Sequence, residues 1–279
     1  MQNRRAKLIL IYIAFIGMAV AVLFPLYWTL LVSTTTKIAL FEKPVPYITG
    51  FVVENYSRPF LKDLYGGYLL NSLIIASGNA ALVLALAIPA AYALCRFKIR
   101  GREHIFFWLI TNRMAPPASF IIPLYMIFSG SVFRGIRLMD THLGMILVYC
   151  IFNLPFAIWL LKGMIDAIPV ELDEAAVVDG CSHLGILWKI IIPVAKPSIA
   201  VTAVLIWLFS WNEMLFASIL TGTRANTIPT GVLKFVTVVG IDWGEMAAVS
   251  IVCLIPAAIL VGVAQKHIVA GLSFGAVKE

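Results

Sequence analysis

Six long apolar runs constrain this chain more than any other feature of its sequence. The first run, residues 8–32, contains no charged residue over 25 positions, and an α-helix needs about 20 apolar residues to cross a bilayer. Only 13% of the residues are charged, whereas a soluble domain carries about 25%. The chain is therefore predicted to be an all-α polytopic membrane protein with a single domain over residues 1–279. Its six predicted transmembrane helices are residues 8–32, 69–94, 105–128, 142–161, 197–220 and 245–264.

The positions of lysine and arginine predict how these spans are oriented. Short cytoplasmic loops of membrane proteins carry an excess of basic residues. With the N-terminus in the cytoplasm, twelve basic residues lie inside and eight outside, and Arg113, within a span, completes the 21. The contrast is greatest in residues 96–102, where four of seven residues are basic. Both termini are therefore predicted to be cytoplasmic, as is the segment between the fourth and fifth spans.

That segment, residues 169–193, is acidic in an otherwise apolar chain. It opens at Pro169, which suits a first helical turn, and its acids complement the positive end of a helix dipole. The acids are Glu171, Asp173, Glu174 and Asp179. Gly180 is predicted to end this first helix in a left-handed conformation, and a second helical run from Leu184 is predicted to close at Pro193. The segment is thus a predicted helix–turn–helix elbow, either docked on a basic protein partner or lying in the headgroups as a connector.

Polar residues within the predicted spans mark a candidate solute pathway. They are Asn112, Arg113, Asn153, Trp211, Asn212 and Glu213. A buried arginine costs about 2.5–3.5 kcal/mol or more and normally faces a bundle interior or a cavity. The alternative is that Pro116-Pro117 form only a structural kink and that Arg113 extends to the cytoplasmic surface.

The other polar residues also allow two interpretations. Amides suit a polyhydroxylated solute because they donate and accept hydrogen bonds, and Trp211 and Phe209 offer faces on which a sugar can stack. Interhelical hydrogen bonding is the alternative for the amides. Glu213 requires a partner or water at its depth.

The elbow carries a spaced motif that resembles a known family. Glu174-Ala175-Ala176, three residues, Gly180, nine residues, then Ile190-x-Ile192-Pro193 resembles the EAA signature of permease subunits in bacterial ABC importers. Ile192 stands where the family has leucine. The likeness to the carbohydrate-type, maltose-transporter-like second permease extends over nearly the whole chain. It includes the run Trp211-Asn212-Glu213 and the ending Gly271-Leu272-Ser273-x-Gly275-Ala276-Val277-Lys278.

The resemblance implies a function, a set of partners and a location. It implies half of the translocation pathway for a sugar or polyol in the bacterial cytoplasmic (inner) membrane, with a second homologous permease subunit beside this chain in the lipid bilayer. A dimer of ATP-binding subunits, which hold ATP and Mg, and an extracytoplasmic solute-binding protein complete the implied complex. The loop from Thr221 to Gly244 then faces the binding protein. The elbow is then the coupling helix, which docks on the ATPase through Glu171, Glu174, Ala175, Ala176, Asp179, Gly180 and Pro193.

Other functions find little support in the sequence. No GxxxxGK[ST] occurs, and no HExxH, GxSxG or Ser/His/Asp set stands in a plausible frame. The chain is therefore predicted to be no enzyme and to hold no cofactor, metal or catalytic site of its own. No basic stripe interleaved with aromatic residues indicates nucleic-acid binding. An ion-gradient-driven secondary transporter is the alternative, with Glu213 as its one clear in-membrane acid, and a membrane scaffold without a solute path is a third reading.

Overall fold

The computed structural model describes residues 2–42, 50–132, 135, 137–237 and 240–273, and side chains only within residues 7–265. Lys43 and Arg134, two basic residues of the charge count, lie outside the described residues. So do Gly275, Ala276, Val277 and Lys278 of the terminal motif, and so do the side chains of Arg4, Arg5 and Lys266.

The described chain is mostly helical, as the apolar runs predict. Its α-helices are α1 (Gln2–Thr34), α2 (Glu54–Ser57), α3 (Tyr65–Arg96), α4 (Arg102–Met114), α5 (Ile121–Phe128), α6 (His142–Ile165), α7 (Glu171–Val178), α8 (His183–Ile186), α9 (Ile192–Val194), α10 (Lys196–Trp211), α11 (Leu215–Leu220), α12 (Ile228–Val232) and α13 (Trp243–Ser273). Shorter 3-10 turns cover Ala39–Phe41, Pro117–Phe120 and Leu233–Phe235, and π turns cover Arg58–Lys62 and Leu187–Ile191. Strands β1 (Val236–Thr237) and β2 (Gly240–Ile241) pair antiparallel, with Val236 opposite Ile241.

Four helices of the described chain are long and apolar enough to cross a membrane. These are Lys7–Thr34 within α1, all of α3 and α6, and Trp243–Gln265 within α13. Two bent pairs pass the same test together, Arg102–Met114 with Pro117–Phe128 at 96° and His183–Val194 with Lys196–Trp211 at 80°. The chain therefore has four candidate spans, or up to six if each bent pair is one span.

Two of the predicted spans are broken helices. The predicted span 105–128 bends between α4 and α5 at Pro116-Pro117, because proline has no N–H to donate and its ring excludes the preceding turn. The predicted span 197–220 divides into α10 and α11, with a break at residues 212–214. There the Asn212 side chain donates to the carbonyl of Leu208 at 2.8 Å, a local bond typical of an interrupted helix.

The chain divides into two compact units, of which the first comprises Met1–Gly67 and Gly231–Pro256. In this unit the end of α1 is tied to α2, because Ser33 Oγ lies 2.6 Å from the Tyr56 hydroxyl. Ion pairs join Lys37 to Asp242 at 3.0 Å and Arg58 to Glu245 at 3.1 Å. These are partly exposed pairs, which contribute little to stability.

The second unit comprises Tyr68–Thr230 and Ala257–Glu279. Its apolar core joins side chains of α3, α5, α6 and α11: Ile75, Leu124, Phe128, Met145, Val148, Tyr149, Phe216, Ala217 and Leu220. Helices α3 and α6 approach closely at Gly78, where a Cβ atom would lie 2.6 Å from Cδ1 of Ile146. Small residues allow such approaches between membrane helices. The predicted single domain over residues 1–279 stays a prediction.

A buried ion pair fixes the elbow to the end of α3. Arg96 Nε donates to Asp173 Oδ2 at 2.8 Å, and the Arg96 Nη2 group donates to the carbonyl of Ile168 at 2.8 Å. The two side chains are only 7% and 10% exposed. Charged hydrogen bonds of this length are strong and orienting, so the first elbow helix has a defined position on the unit.

We predict that breaking this pair costs far more stability than removing an exposed elbow acid. Arg96→Ala or Asp173→Ala leaves one buried charge unpaired, at a cost of about 3–5 kcal/mol in the free energy of unfolding. The double variant Arg96→Met, Asp173→Leu should lose less than either single variant because no unpaired charge remains. The measurement is unfolding in detergent micelles followed by circular dichroism. Glu174→Ala, at an exposed site, is the control, and single variants as stable as this control would contradict the role of the pair.

Candidate functional site

The first half of the elbow is a short helix with a defined stop. Helix α7 begins just after Pro169 and has Glu171, Asp173 and Glu174 in its first turn. Its end is a Schellman motif, in which the N–H of Gly180 donates to the carbonyl of Val177 at 3.0 Å and that of Cys181 to Ala176 at 2.9 Å. Gly180 has φ +81°, a conformation that glycine adopts without steric cost. The predicted helix stop at Gly180 is therefore present.

The second half of the elbow is helical from His183 to Val194. Ser182 caps its start, since the Ser182 hydroxyl accepts from the N–H of Gly185 at 3.2 Å. The run passes through α8, a π turn and α9. It was predicted to close at Pro193, and it ends one residue later, at Val194, before the 80° bend into α10. Proline is accommodated there because it lies in the first turn of α9.

One face of α7 is exposed and the other is buried. Glu171, Glu174 and Val178, at spacings of three and four, are all exposed, and Val178 is 87% exposed. Ala175 and Asp179 are exposed as well, whereas Asp173 and Ala176 face inward. The exposed face thus combines carboxylates with apolar side chains, a combination that fits a partner offering both a basic residue and an apolar cleft.

A separate cavity of about 400 Å³ lies among α4, α6, α10 and α11. Three of the predicted pathway residues line it, namely Arg113, Asn153 and Glu213. The remaining lining residues are Pro117, Tyr149, Phe152, Phe209, Ser210, Leu215 and Phe216. The predicted pathway residues Asn112, Trp211 and Asn212 do not line it.

Arg113 is held at the cavity by aromatic rings and a carbonyl group. Its Nη1 group donates to the carbonyl of Phe152 at 2.9 Å. Its guanidinium carbon lies 5.2 Å from the ring centroid of Phe156 and 4.9 Å from that of Phe209, distances at which cation–π attraction acts. Among the described residues no carboxylate forms an ion pair with Arg113. Arg113 thus lies beside the cavity, and its side chain is also exposed.

Glu213 finds its partner at the start of the next helix. Its Oε1 accepts from the N–H of Phe216 at 2.9 Å and its Oε2 accepts from the N–H of Ala217 at 3.2 Å. These amides belong to the first turn of α11 and would otherwise lack acceptors. The carboxylate therefore replaces the backbone bonds lost at the break between α10 and α11.

The pathway amide Asn153 joins three helices to one another. Asn153 Nδ2 donates to Asn79 Oδ1 and to Ser210 Oγ, each at 3.0 Å, which connects α6 to α3 and α10. All three side chains are buried. Trp211 is also buried and stacks on Trp207 with ring centroids 4.7 Å apart. Interhelical hydrogen bonding thus accounts for the contacts of Asn153, whereas the stacking of Trp211 on Trp207 lies within α10.

Tyr149 is a cavity residue that the sequence does not single out. It is 2% exposed and lines the cavity, and its buried hydroxyl lies beside the Glu213 carboxylate without forming a well-aligned hydrogen bond within the described residues. Buried hydroxyls normally have good hydrogen-bond partners, so this oxygen is the least satisfied polar group of the cavity wall. A tyrosine within an apolar run carries no sequence signal of this kind, because only the packing of α6 against α11 buries it.

The chain matches a family model and several named relatives. A family model described as "Binding-protein-dependent transport system inner membrane component" matches residues 83–274. The chain is 33% identical to the trehalose/maltose transport system permease protein MalG of Thermococcus litoralis over 285 residues, which cover 100% of this chain and 99% of the relative. It is 34% identical to the trehalose transport system permease protein SugB of Mycobacterium tuberculosis, over 92% of each chain.

A solved structure has the same fold. A bacterial ABC transporter involved in the import of the acidic polysaccharide alginate matches with a TM-score of 0.79 at 22% identity, over 96% of this chain and 98% of the matched chain. The family match covers well over half of the sequence and includes the elbow and the cavity. The chain thus belongs to the family of binding-protein-dependent transport system inner membrane components, the permease family that its elbow motif resembles.

Proposed function

We propose that this chain forms half of the translocation pathway of an ATP-binding-cassette importer for a sugar or polyol. The observation that carries the proposal is the elbow, whose exposed acidic face and left-handed Gly180 lie in a chain similar over its full length to a trehalose/maltose permease. An element that docks a separate ATPase explains why so exposed a set of acids and valines stands in a membrane protein.

The proposed solute class rests on the relatives and on the cavity. The named systems of the relatives include trehalose, maltose, diacetylchitobiose and sulfoquinovosyl glycerol, all of which contain a sugar. The cavity combines the rings of Phe152 and Phe209 with the polar pair of Tyr149 and Glu213. Aromatic faces with a few polar groups are what a polyhydroxylated ring requires.

The proposed complex has the partners that the family description implies. The chain lies in the bacterial cytoplasmic membrane with six spans and both termini in the cytoplasm, and α1, apolar and largely exposed, faces lipid or a second homologous permease. A dimer of ATP-binding subunits, which bind ATP and Mg, docks on the elbow. The solute-binding protein approaches the opposite side, where the segment from Thr221 to Gly244 is exposed in part. Closure of the ATPases then moves the spans through the elbow and switches access to the cavity.

The experiment that tests this function uses the importer assembled from this chain and the products of the genes that neighbour its own gene. Membranes containing the complex should take up radiolabelled maltose or trehalose only with ATP and the binding protein, and the ATPase should purify with this chain. Uptake that follows a proton or sodium gradient without ATP would favour a secondary transporter and refute the proposal. A panel of other sugars and polyols extends the test if neither disaccharide is transported.

We predict that the Tyr149 hydroxyl contributes to solute binding within the cavity. Tyr149→Phe removes a hydroxyl that makes no well-aligned hydrogen bond within the described residues, so assembly should be unaffected. The solute concentration for half-maximal uptake should rise roughly 3–10-fold, the value of one hydrogen bond, with little change in the maximal rate. Tyr125→Phe, on an exposed face of α5, is the matched control.

Glu213→Leu extends this test because it removes the cavity carboxylate and the cap of α11 together. This variant should lower the maximal rate of uptake, whereas Asn212→Leu tests the neighbouring residue outside the cavity. An unchanged half-maximal solute concentration in Tyr149→Phe, together with an unchanged maximal rate in Glu213→Leu, would mean that the cavity is a packing defect and not part of the pathway.

We predict that Gly180 sets the geometry of the elbow and that Glu174 contributes one contact. A β-branched residue at φ +81° opposes the left-handed turn, so Gly180→Val should remain in the membrane but lose the ATPase in pull-down assays. Glu174→Ala should weaken ATPase binding only several-fold, as expected for one partly solvated charge contact. Gly163→Val is the control, at an exposed helical glycine with open space around its Cβ position. Normal ATPase retention and normal solute-stimulated ATP hydrolysis in both elbow variants would mean that the elbow is only a connector.

A further inference from the structure

The carboxylate of Asp140 accepts hydrogen bonds from the backbone of a loop that is distant in sequence. It lies just before α6, and its two oxygens accept from four consecutive amides, those of Gly222, Thr223, Arg224 and Ala225, at 2.8–3.1 Å. The Thr223 hydroxyl donates a further bond at 3.3 Å. Converging amides of this kind form an anion-binding nest, here occupied by a side chain of the same protein.

The backbone of Asp140 also contributes to holding this part of the chain. Asp140 is the one non-glycine residue with positive φ in the described part of the chain, at 55°, a conformation that aspartate tolerates better than most residues. Its own N–H donates to the carbonyl of Leu220 at 2.9 Å. The main chain of Asp140 therefore binds the last residue of α11, and its side chain binds the loop that follows.

The same loop is also held from α3 and α6. Asn71 Nδ2 donates to the carbonyls of Arg224 and Asn226, each at 2.9 Å, and Asn71 Oδ1 lies 2.7 Å from His142 Nε2. As a result Ala225 and Asn226 are buried, whereas residues 222–224, here called the loop tip, are exposed. The loop tip is thus exposed, while its backbone is held by the buried side of the loop through Asp140 and Asn71.

The loop tip is directly connected to the cavity through α11. This six-residue helix is bound by Glu213 at its start and by Asp140 at its end. Its residues Leu215 and Phe216 line the cavity. Because α11 has only about one and a half turns, a displacement of the loop tip also moves the cavity wall that this helix forms.

The Asp140 carboxylate is a permanent anion and not a switch. Burial alone would raise its pKa, but the four amides more than offset this effect and hold the pKa of Asp140 well below its usual range. The usual value is about 3.9. A carboxyl group with a depressed pKa stabilises the fold at every pH above that value, so these bonds persist throughout the physiological range.

We propose that Asp140 is a positioning residue for transport, which fixes the loop tip for docking of the solute-binding protein and holds the α11 wall of the cavity in register with it. This inference rests on the proposed function in one respect, that the loop from Thr221 to Gly244 faces the binding protein. The amide nest and the two fixed ends of α11 do not depend on that assignment.

The test uses the complete importer in nanodiscs and the variant Asp140→Asn. Asparagine keeps the shape but presents an NH2 group to amide donors, so it loses acceptors and charge together. Hydrogen exchange of the amides of residues 222–225 should accelerate at least roughly ten-fold, given that bonds to a charged acceptor are lost. The concentration of solute-loaded binding protein that gives half-maximal ATP hydrolysis should rise roughly ten-fold, while ATP hydrolysis without binding protein stays at the wild-type rate.

Two further variants make the outcome decisive. Asp63→Asn, at an exposed loop acid, is the control and should change neither exchange nor stimulation. If Asp140→Asn fails to assemble, Asn71→Ala loosens the same loop from the other side and should produce the same two changes. The binding protein is the one encoded with the importer, loaded with whichever of maltose or trehalose the uptake assay identifies.

Each result decides the proposal. Faster exchange with unchanged dependence on binding protein would overturn it, because Asp140 would then stabilise a loop without positioning anything. Unchanged exchange in Asp140→Asn would overturn it as well, since the nest would not hold the tip. A wild-type importer that binding protein does not stimulate would instead refute the proposed function, a failure visible before any variant is made.

Discussion

Within a bilayer every backbone N–H and C=O must find a partner inside the protein, because the hydrocarbon offers none. The second unit of this chain meets that constraint at two breaks in its helices. At residues 212–214 the carboxylate of Glu213 accepts the first amides of α11. At the bend between α4 and α5, Pro116 and Pro117 have no N–H that needs a partner. The carboxylate of Glu213 thus satisfies the backbone of α11 in the structure as it stands, without a solute.

The same use of a charged group recurs away from the spans. Asp140 accepts four loop amides, and Arg96 binds both Asp173 and the carbonyl of Ile168. Each of these bonds joins an end of one helix to a segment remote in sequence. The elbow and the 222–224 tip, the two parts that the proposed function assigns to partner proteins, are therefore both held in position by charged hydrogen bonds. Such bonds are directional, which suits surfaces that must present a fixed shape.

The cavity illustrates how packing and function share the same residues. Asn153 lines it and also completes an interhelical network with Asn79 and Ser210. Arg113 lines it and also binds two aromatic rings. The hydroxyl of Tyr149 differs because it lies beside Glu213 without a well-aligned hydrogen bond within the described residues. A solute that replaces a missing bond gains more than one that competes with an existing bond, since an unsatisfied buried group costs the full desolvation penalty.

The sequence by itself determined the helical membrane class, the approximate positions of the four long helices, the elbow with its stop at Gly180, and the family. These follow from local rules: apolar run length, proline and glycine conformational preferences, and fixed motif spacing. Only the tertiary structure decided which polar residues meet. It separated Glu213, at the cavity, from its neighbour Asn212, and it paired Arg96 with Asp173, 77 positions apart. It also placed Asp140 against residues 222–225. Such pairings depend on how the helices pack side by side, and no period or spacing along one segment encodes that arrangement.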